Sequence, residues 1–506
     1  MRSKKAIYNI LSNIALQIII IVNGFIVPKI IISTYGSAVN GLVSSVTQFL
    51  AYISLLESGF GPVVKAALYK PIACKDKKTI GNILKTSEKF FRAIALIFLG
   101  YIAILCFVYP QIVNHDFEWI YTASLILIIG ISTFAEYFFG MAYMLFLQAK
   151  QKKYIISIIQ ICTYILSTLS VVILVKTGMS VHIVKLVSGA IFVLRPLILN
   201  IYVKRKYKLN LRNSSEQYKL EKKWDGLAQH IAYVIHTKTD ITVLTIFTTL
   251  TEVSVYSVYY LVVRGIKAII SAFSGGIDAT FGDMIAKDEK QNLNEKFSIF
   301  EILYGTIGTI AFTSAIILIT PFVSVYMKGA SDADYIRPLF GVLIVVSEYI
   351  WAIRQPYNSI VLAAGHFRET RKGAWIECLS NIIISIILVN WLGIVGVAIG
   401  TIVAMTIRAA EFIYHANKYI LHRPIWESIK KILLILAETI IIVLICNFLP
   451  YKENTSYMNW GINAIMVFMT SSAVVLALTA LFFRRELTGV MHIIAKILPK
   501  RISHHK

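Results

Sequence analysis

The chain has 506 residues, of which 57% are hydrophobic and only 15% are charged. Soluble proteins carry about 25% charged residues, so this composition excludes a disordered chain, a coiled coil and an ordinary soluble enzyme. The 50 lysines and arginines, against 27 aspartates and glutamates, give a formal net charge of +23. In a soluble protein that excess would indicate nucleic-acid binding. In a membrane protein, the distribution of the positive charges is first compared with the rule that cytoplasmic loops are rich in lysine and arginine.

Apolar runs alternate with short polar breaks along the whole chain. Each run is long enough for a membrane helix, which needs about 20 apolar residues. The pattern predicts an all-α polytopic membrane protein with about 14 transmembrane helices, at residues 9–33, 38–63, 93–113, 119–147, 154–175, 180–203, 228–249, 253–281, 298–327, 338–363, 373–391, 394–417, 432–450 and 460–483.

The distribution of positive charge predicts the topology. The basic start (Arg2, Lys4, Lys5) precedes a first span without a small-residue cleavage site, so we interpret it as a retained span. With an even number of spans, most lysines and arginines fall in the segments on the same side as this start, which is typical of cytoplasmic loops. The opposite side holds only Lys29, Lys176, Lys185, Lys328, Arg337 and Lys452. Both termini are therefore predicted to be cytoplasmic.

Similar features recur in the same order in the two halves of the chain. Ser58-Gly59 corresponds to Ser274-Gly275, Glu136-Tyr137 to Glu348-Tyr349, and Arg195 to Arg408. Such internal symmetry is typical of transporters built from two repeats. The predicted domains are an N-lobe (1–203, spans one to six), a basic cytoplasmic linker (204–226), a C-lobe (227–420, spans seven to twelve), an appended helix pair (421–483) and a basic amphipathic tail (484–506) that suits an anionic membrane surface.

No motif for catalysis or metal binding stands out. The sequence lacks a GxxxxGK[ST] phosphate loop and an HExxH pair, and its five cysteines are scattered without metal spacing. His230 and His236 are six residues apart, which places them poorly for one helix face. Transport or a structural role is therefore favoured over catalysis, with no catalytic residue and no metal site predicted.

Charges inside the predicted spans are the main functional signal. A charge near the bilayer centre costs at least a few kcal/mol, so it is expected to face a cavity or a partner. The cations are Arg195, Lys238, Arg264, Lys267, Arg354 and Arg408. The acids considered as coupling or structural groups are Glu57, Glu136, Asp240 and Glu348; Asp278, Glu377, Glu411 and Glu438 also lie within spans.

Several of these charges have a structural alternative. Arg408 and Glu411 are three residues apart and could neutralise each other, and Arg195 could extend towards the nearer membrane surface. Glu57 precedes the helix-breaking run Ser58-Gly59-Phe60-Gly61-Pro62 and could brace it, and Glu136 and Glu348 could pair with cations of neighbouring helices. Glu377 and Glu438 are interpreted as structural.

Four cations are less easily explained by structure alone. Arg264 and Lys267 share one helix face with no acid within a turn, and Lys238 lies in the preceding span. Arg354 lies beside Gln355-Pro356-Tyr357-Asn358, a polar stretch that favours a kink. A cavity lined by these cations would attract a multivalent anion, above all phosphate or diphosphate.

The span count, the two lobes and two motifs together resemble a known family. The run Glu57-Ser58-Gly59-Phe60-Gly61 with its basic loop, and the segment from Gln355-Pro356-Tyr357-Asn358-Ser359 to Ala364-Gly365-His366, resemble the polysaccharide exporters of the multidrug/oligosaccharidyl-lipid/polysaccharide (MOP) superfamily. Wzx-type O-antigen and capsule repeat-unit flippases are the most similar. The resemblance implies a MATE/MOP-like fold in the bacterial plasma (inner) membrane, alternating access, and transfer of an undecaprenyl-diphosphate-linked oligosaccharide to the outer leaflet through a cationic cavity.

By position, the resemblance implies that Lys238, Arg264, Lys267 and Arg354 contact the substrate, with Arg195 and Arg408 as further candidates. It also implies membrane lipids, a polysaccharide polymerase and glycosyltransferases as partners, no nucleic acid, and no cofactor except Na⁺ or H⁺ as a coupling ion. Three alternatives stay open at this stage: a cation-coupled multidrug exporter of the same superfamily, a lipid II flippase, and a membrane-embedded glycosyltransferase or polymerase.

Overall fold

The computed structural model describes residues 2–57, 59–113, 117–207, 227–272 and 277–497. These residues are helical apart from short connections, and no strand occurs among them. By internal packing they form two compact units: Met1–Leu261 with Gly329–Ala333, and Val262–Lys328 with Asp334–Lys506. The predicted linker residues 208–226 and the tail residues 498–506 lie outside the described residues.

The first unit contains eleven helices or parts of helices within its described residues. They are α1 (Arg2–Tyr35), α2 (Ser37–Leu50), α3 (Ser54–Glu57), α4 (Phe60–Ala73), α5 (Lys77–Ile112), α6 (Trp119–Ala135), α7 (Met141–Ala149), α8 (Lys153–Lys176), α9 (Val181–Tyr207), α10 (Leu227–Phe247) and the larger part of α11 (Leu250–Ala272). A 3₁₀ turn (Ala51–Ile53) joins α2 to α3, and a π-helical segment (Glu136–Gly140) joins α6 to α7.

The second unit contains the end of α11 and all later helices. They are α12 (Ile277–Ala286), α13 (Lys290–Tyr326), α14 (Pro338–Ala363), α15 (Arg371–Leu392), α16 (Ile394–His415), α17 (Trp426–Cys446), α18 (Tyr457–Phe482) and α19 (Arg484–Ile497). A π-helical segment (Ala416–Leu421) extends α16.

Twelve helical stretches of the described chain are long and apolar enough to cross a membrane. The predicted spans 228–249 and 432–450 coincide with α10 and α17, which are 21 residues long each and so reach about 30 Å. Neither is among the twelve: α10 carries Lys238 and Asp240 in a less apolar sequence, and α17 carries three charged residues, Lys430, Lys431 and Glu438. The predicted all-helical, polytopic class is confirmed.

Two helices begin well before the apolar run from which they were predicted. α5 begins at Lys77 rather than near 93, and Asp76 caps it by accepting a hydrogen bond from the Thr79 amide at 3.0 Å. α13 begins at Lys290 rather than near 298. Hydropathy detects only the apolar part of such helices, whereas capping and backbone hydrogen bonds carry them on through polar residues.

The helices of the first unit pack through one aromatic face and leave an apolar face outside. Phe91 and Phe98 on α5 and Phe146 on α7 are almost completely buried, while Ile104 and Phe107 on α5 are 60% and 63% exposed. In water such exposed apolar side chains would be unfavourable, but they suit contact with lipid tails. This arrangement supports α5 as a membrane span.

The helix break predicted after Glu57 is present. α3 ends at Glu57 and α4 begins at Phe60, with Gly59 at a φ of +81° between them. A side chain would be strained in this left-handed conformation, which explains the glycine. The corresponding segment of the second half, 273–276, lies outside the described residues.

The helix α19 packs along α13. Val490 is buried against Ile299 and Ile302, and a Cβ on Gly489 would lie 2.6 Å from the Ile299 side chain. Ser298 of α13 donates a hydrogen bond to Glu486 at 3.2 Å. One side of α19 is therefore used for packing within the second unit, and its contact with a membrane surface stays a prediction.

Candidate functional site

The end of α11 that belongs to the second unit carries Arg264 and Lys267. The two residues are three apart and share a helix face, as predicted. Arg264 is exposed and forms no ion pair with any residue that the structure describes. Lys267 is partly buried and donates a hydrogen bond of 2.6 Å to the carboxylate of Glu348 on α14. Its ammonium also lies 4.6 Å from the centre of the Trp351 ring, a favourable cation–π contact.

Glu348 is held in a well-packed part of α14. Its side chain is 7% exposed, and the next residue, Tyr349, donates to Thr309 of α13 at 2.8 Å. The sequence suggested that Glu348 could pair with a cation of a neighbouring helix, but it did not identify that cation. The structure identifies Lys267 as that partner. Of the two α11 cations, Arg264 is thus the one without an acid partner among the described residues.

Arg354 and Arg408 meet in a buried cluster with two acids. Arg354 donates to Glu377 of α15 at 2.6 Å, and the Arg408 Nε lies 3.4 Å from the same carboxylate. Arg408 also pairs with Glu411 and donates to the Thr370 carbonyl at 2.8 Å. Two cations and two acids balance each other here, and Arg354 and Glu377 are only 7% and 9% exposed. Neither arginine is open to a ligand in this arrangement.

Lys238 and Asp240 lie in the first unit and point to different neighbours. Lys238 is half-buried and lies 3.5 Å from the Gln48 side-chain oxygen of α2. Asp240 accepts a hydrogen bond of 2.7 Å from Tyr256 of α11. Other α2–α10 contacts are also polar, such as the 2.6 Å hydrogen bond between the hydroxyls of Ser45 and Thr245. Asp240 therefore stabilises the α10–α11 packing.

Arg195, Glu136 and Glu57 lie elsewhere in the first unit. Arg195 donates to Thr163 at 2.6 Å and lies between two rings, 4.2 Å from Tyr164 and 4.1 Å from Phe192. Glu136 is exposed at the start of its π-helical segment and interacts electrostatically with Arg195. Glu57 accepts a hydrogen bond of 2.9 Å from Tyr137.

A second buried ionic cluster was missed by the sequence analysis. Glu301 of α13 accepts hydrogen bonds from Arg423 at 2.7 Å, Lys431 at 2.5 Å and Tyr357 at 2.5 Å. Ser428 joins the same network. Glu301 lies only three residues inside the predicted span 298–327. An acid so close to the end of an apolar run was the sequence signal that could have indicated this cluster. Among the described side chains, no group of three or more His, Cys, Asp or Glu is placed to hold a metal ion.

Comparisons with known proteins support the fold and no more. Neither the profiles of known protein families nor the curated proteins give a match. Among solved structures, the lipid II flippase MurJ in an inward closed conformation is 15% identical, with a TM-score of 0.66 over 95% of this chain and 100% of that chain. An inward-facing multidrug resistance MATE transporter of the MOP superfamily is 16% identical, with a TM-score of 0.58 over 83% of this chain and 99% of that one.

The eukaryotic MATE transporter AtDTX14 is 14% identical, with a TM-score of 0.53 over 85% of this chain and 98% of that chain. These identities are too low to carry over activity or site residues. The chain has the fold of MurJ and the MATE transporters, as the resemblance to the MOP superfamily implied, and its apolar helices are those of a multi-pass membrane protein.

Proposed function

We propose that this protein is a flippase, and no enzyme, that transfers an undecaprenyl-diphosphate-linked oligosaccharide repeat unit from the inner to the outer leaflet of the bacterial plasma membrane. The observation that carries the proposal is Arg264, an exposed cation without an ion-pair partner in the described chain, within a helix apolar enough to span a membrane. Such a charge is costly in hydrocarbon unless a ligand or water contacts it.

The chemistry of the cargo fits such a group. A lipid diphosphate cannot cross about 30 Å of hydrocarbon with its charge and sugars unscreened. Arg264 offers a planar set of donors that matches phosphate oxygens, and Lys267, one turn away, adds a second cation. We propose that these two residues hold the diphosphate. Transport then proceeds by alternating access through a cationic cavity, and Na⁺ or H⁺ acts as the coupling ion. Both termini are cytoplasmic in this proposal.

The other four candidate cations, Lys238, Arg195, Arg354 and Arg408, stay predictions as substrate contacts. Lys238 lies near Gln48, Arg195 donates to Thr163 and interacts electrostatically with Glu136, and Arg354 and Arg408 are bound to acids of their own unit. A role for any of them requires that these contacts open.

A lipid II flippase is the second candidate. It is favoured by the MurJ structure, which this chain matches over 95% of its length, against 83% and 85% for the two MATE structures. Both cargoes carry a polyprenyl diphosphate, so Arg264 and Lys267 would serve either. A multidrug exporter would instead bind cations, which an exposed arginine disfavours.

The test is transfer in proteoliposomes by the full-length protein. A polyprenyl-diphosphate oligosaccharide with a fluorescent sugar is incorporated, and an impermeant quencher reports its arrival in the outer leaflet. Arg264→Ala is expected to slow transfer about 10- to 100-fold, because a charged hydrogen bond contributes about 1.5–3 kcal/mol. Arg264→Lys should retain part of the activity, and Arg205→Ala, another exposed arginine at the end of α9, serves as the control.

Equal rates for wild type and Arg264→Ala would exclude this site. Transfer of a cationic drug but of neither lipid would favour the exporter. Lipid II as a competing cargo separates the two flippase candidates, because preferential transfer of lipid II would identify the second.

A further inference from the structure

The Glu348 carboxylate is bound to Lys267, one of the two cations that the proposed function assigns to the diphosphate. The Lys267 ammonium lies 2.6 Å from Glu348, while Arg264 on the same helix face is exposed. Glu348 is 7% exposed and Lys267 is 19% exposed, so the pair is largely shielded from water. An anion that approaches Arg264 therefore meets a lysine whose charge is already balanced.

We propose that Glu348 is an internal competitor for the anion site, and that anion binding displaces it from Lys267 with uptake of one proton. The inference rests on the proposed function and concerns the regulation of the same site. The proton moves from the aqueous phase to the Glu348 carboxylate, a phosphate oxygen replaces that carboxylate on the Lys267 ammonium, and no bond of the cargo is broken.

The reason for proton uptake is electrostatic. A diphosphate and a carboxylate beside one ammonium would place several negative charges within a few ångströms, and such neighbours do not all stay ionised. A carboxylate that has lost its cation is also costly to keep charged in a shielded site. Protonation of Glu348 removes both penalties, so binding of the anion and binding of a proton favour each other.

The Trp351 ring keeps Lys267 in place during this exchange. Its centre lies 4.6 Å from the ammonium, on the same helix as Glu348 and three residues away. Because the ring contact does not depend on Glu348, the ammonium stays available to the incoming anion after the carboxylate has left.

The following titratable groups, described on α14 and on the helices around it, have partners other than Lys267 and Glu348. They are Glu301 with Arg423 and Lys431, Tyr304 with the Ile270 carbonyl, Arg354 and Arg408 with Glu377 and Glu411, Tyr349 with Thr309, Tyr357 with Glu301, Asp283 with Lys287, and Lys418 with Tyr414.

The experiment measures pyrophosphate binding to the purified full-length protein by calorimetry, in two buffers that differ in ionisation enthalpy. The difference in heat gives the number of protons taken up for each pyrophosphate bound. Wild type is expected to take up about one proton more than Glu348→Gln. At about pH 8, Glu348→Gln should bind about tenfold more tightly, because Lys267 no longer has a competing carboxylate.

The control is Glu295→Gln, which removes an exposed carboxylate paired with Arg485 on the surface and is expected to behave as wild type. Lys267→Gln gives a second test that keeps Glu348: binding through Arg264 should weaken and the additional proton should disappear. The proposal is overturned if Glu348→Gln takes up as many protons as wild type, or if Lys267→Gln retains the additional proton.

The result is independent of the cargo assigned above. If wild type binds pyrophosphate with the additional proton but transfers no lipid-linked sugar, the proposed function fails and the exchange at Glu348 stands. If the protein transfers the lipid but Glu348→Gln does not alter proton uptake, the function stands and the exchange fails.

Discussion

The buried cluster around Glu377 makes a quantitative prediction about stability. Glu377 is 9% exposed and accepts from Arg354 at 2.6 Å, with the Arg408 Nε at 3.4 Å. Glu377→Gln keeps the shape of the side chain but removes its charge. The cluster then holds two arginines against Glu411 alone, so one buried cation is left without a counter-charge.

Breaking a buried ion pair by removing one partner typically costs about 3–5 kcal/mol, because the remaining charge has already lost its water. The matched control is Glu295→Gln on α13, whose partner Arg485 is 83% exposed. An exposed pair of this kind contributes at most about 1 kcal/mol. The same chemical change is therefore expected to destabilise the protein several times more at residue 377 than at residue 295.

The assay is the apparent melting temperature of the full-length protein in detergent, followed by fluorescence-detected size exclusion. At about 1 °C for each kcal/mol in a chain of this length, Glu377→Gln should lower the melting temperature by roughly 3–5 °C. Arg354→Met combined with Glu377→Gln should recover part of the loss, since the uncompensated charge is removed. A shift no larger than that of Glu295→Gln, or a double variant less stable than the single one, would refute the electrostatic balance described for this cluster.

Two further predictions concern the first unit. Gly41→Ala should destabilise the protein by about 1–3 kcal/mol, because the new Cβ would lie 1.7 Å from the Leu250 carbonyl oxygen; Gly100→Ala, with nothing within 4 Å of its Cβ, should melt no lower than wild type. Asp76→Ala should shorten the start of α5. The hydrogen bonds from Thr79 lower the pKa of Asp76. The stabilisation by this cap is therefore fully present above the unfolded pKa of about 4 and is lost as the pH falls through the lower pKa of the folded state. Hydrogen exchange of the Thr79 amide, compared between neutral and acidic pH in both proteins, measures it, and equal protection in Asp76→Ala and wild type would contradict the capping role.

The sequence alone was sufficient for the helical class, the positions of the apolar helices and the break after Glu57. These features depend on local properties, namely a run of apolar residues long enough to cross a bilayer and a glycine in a conformation that other residues avoid. The pair of Arg408 and Glu411 was also accessible, because three residues along one helix place two side chains on the same face.

The partners of the other charges were decided by tertiary packing. Lys267 and Glu348 are 81 residues apart, and Arg354 meets Glu377 across two helices. The sequence shows that a charge lies within an apolar span and is costly there, but which helix supplies its partner depends on how the helices pack. For this reason the sequence favoured Lys238, Arg264, Lys267 and Arg354 equally as anion contacts. The structure pairs Lys267, Arg354 and Arg408 with acids and leaves Arg264 exposed, without an ion pair to any described residue.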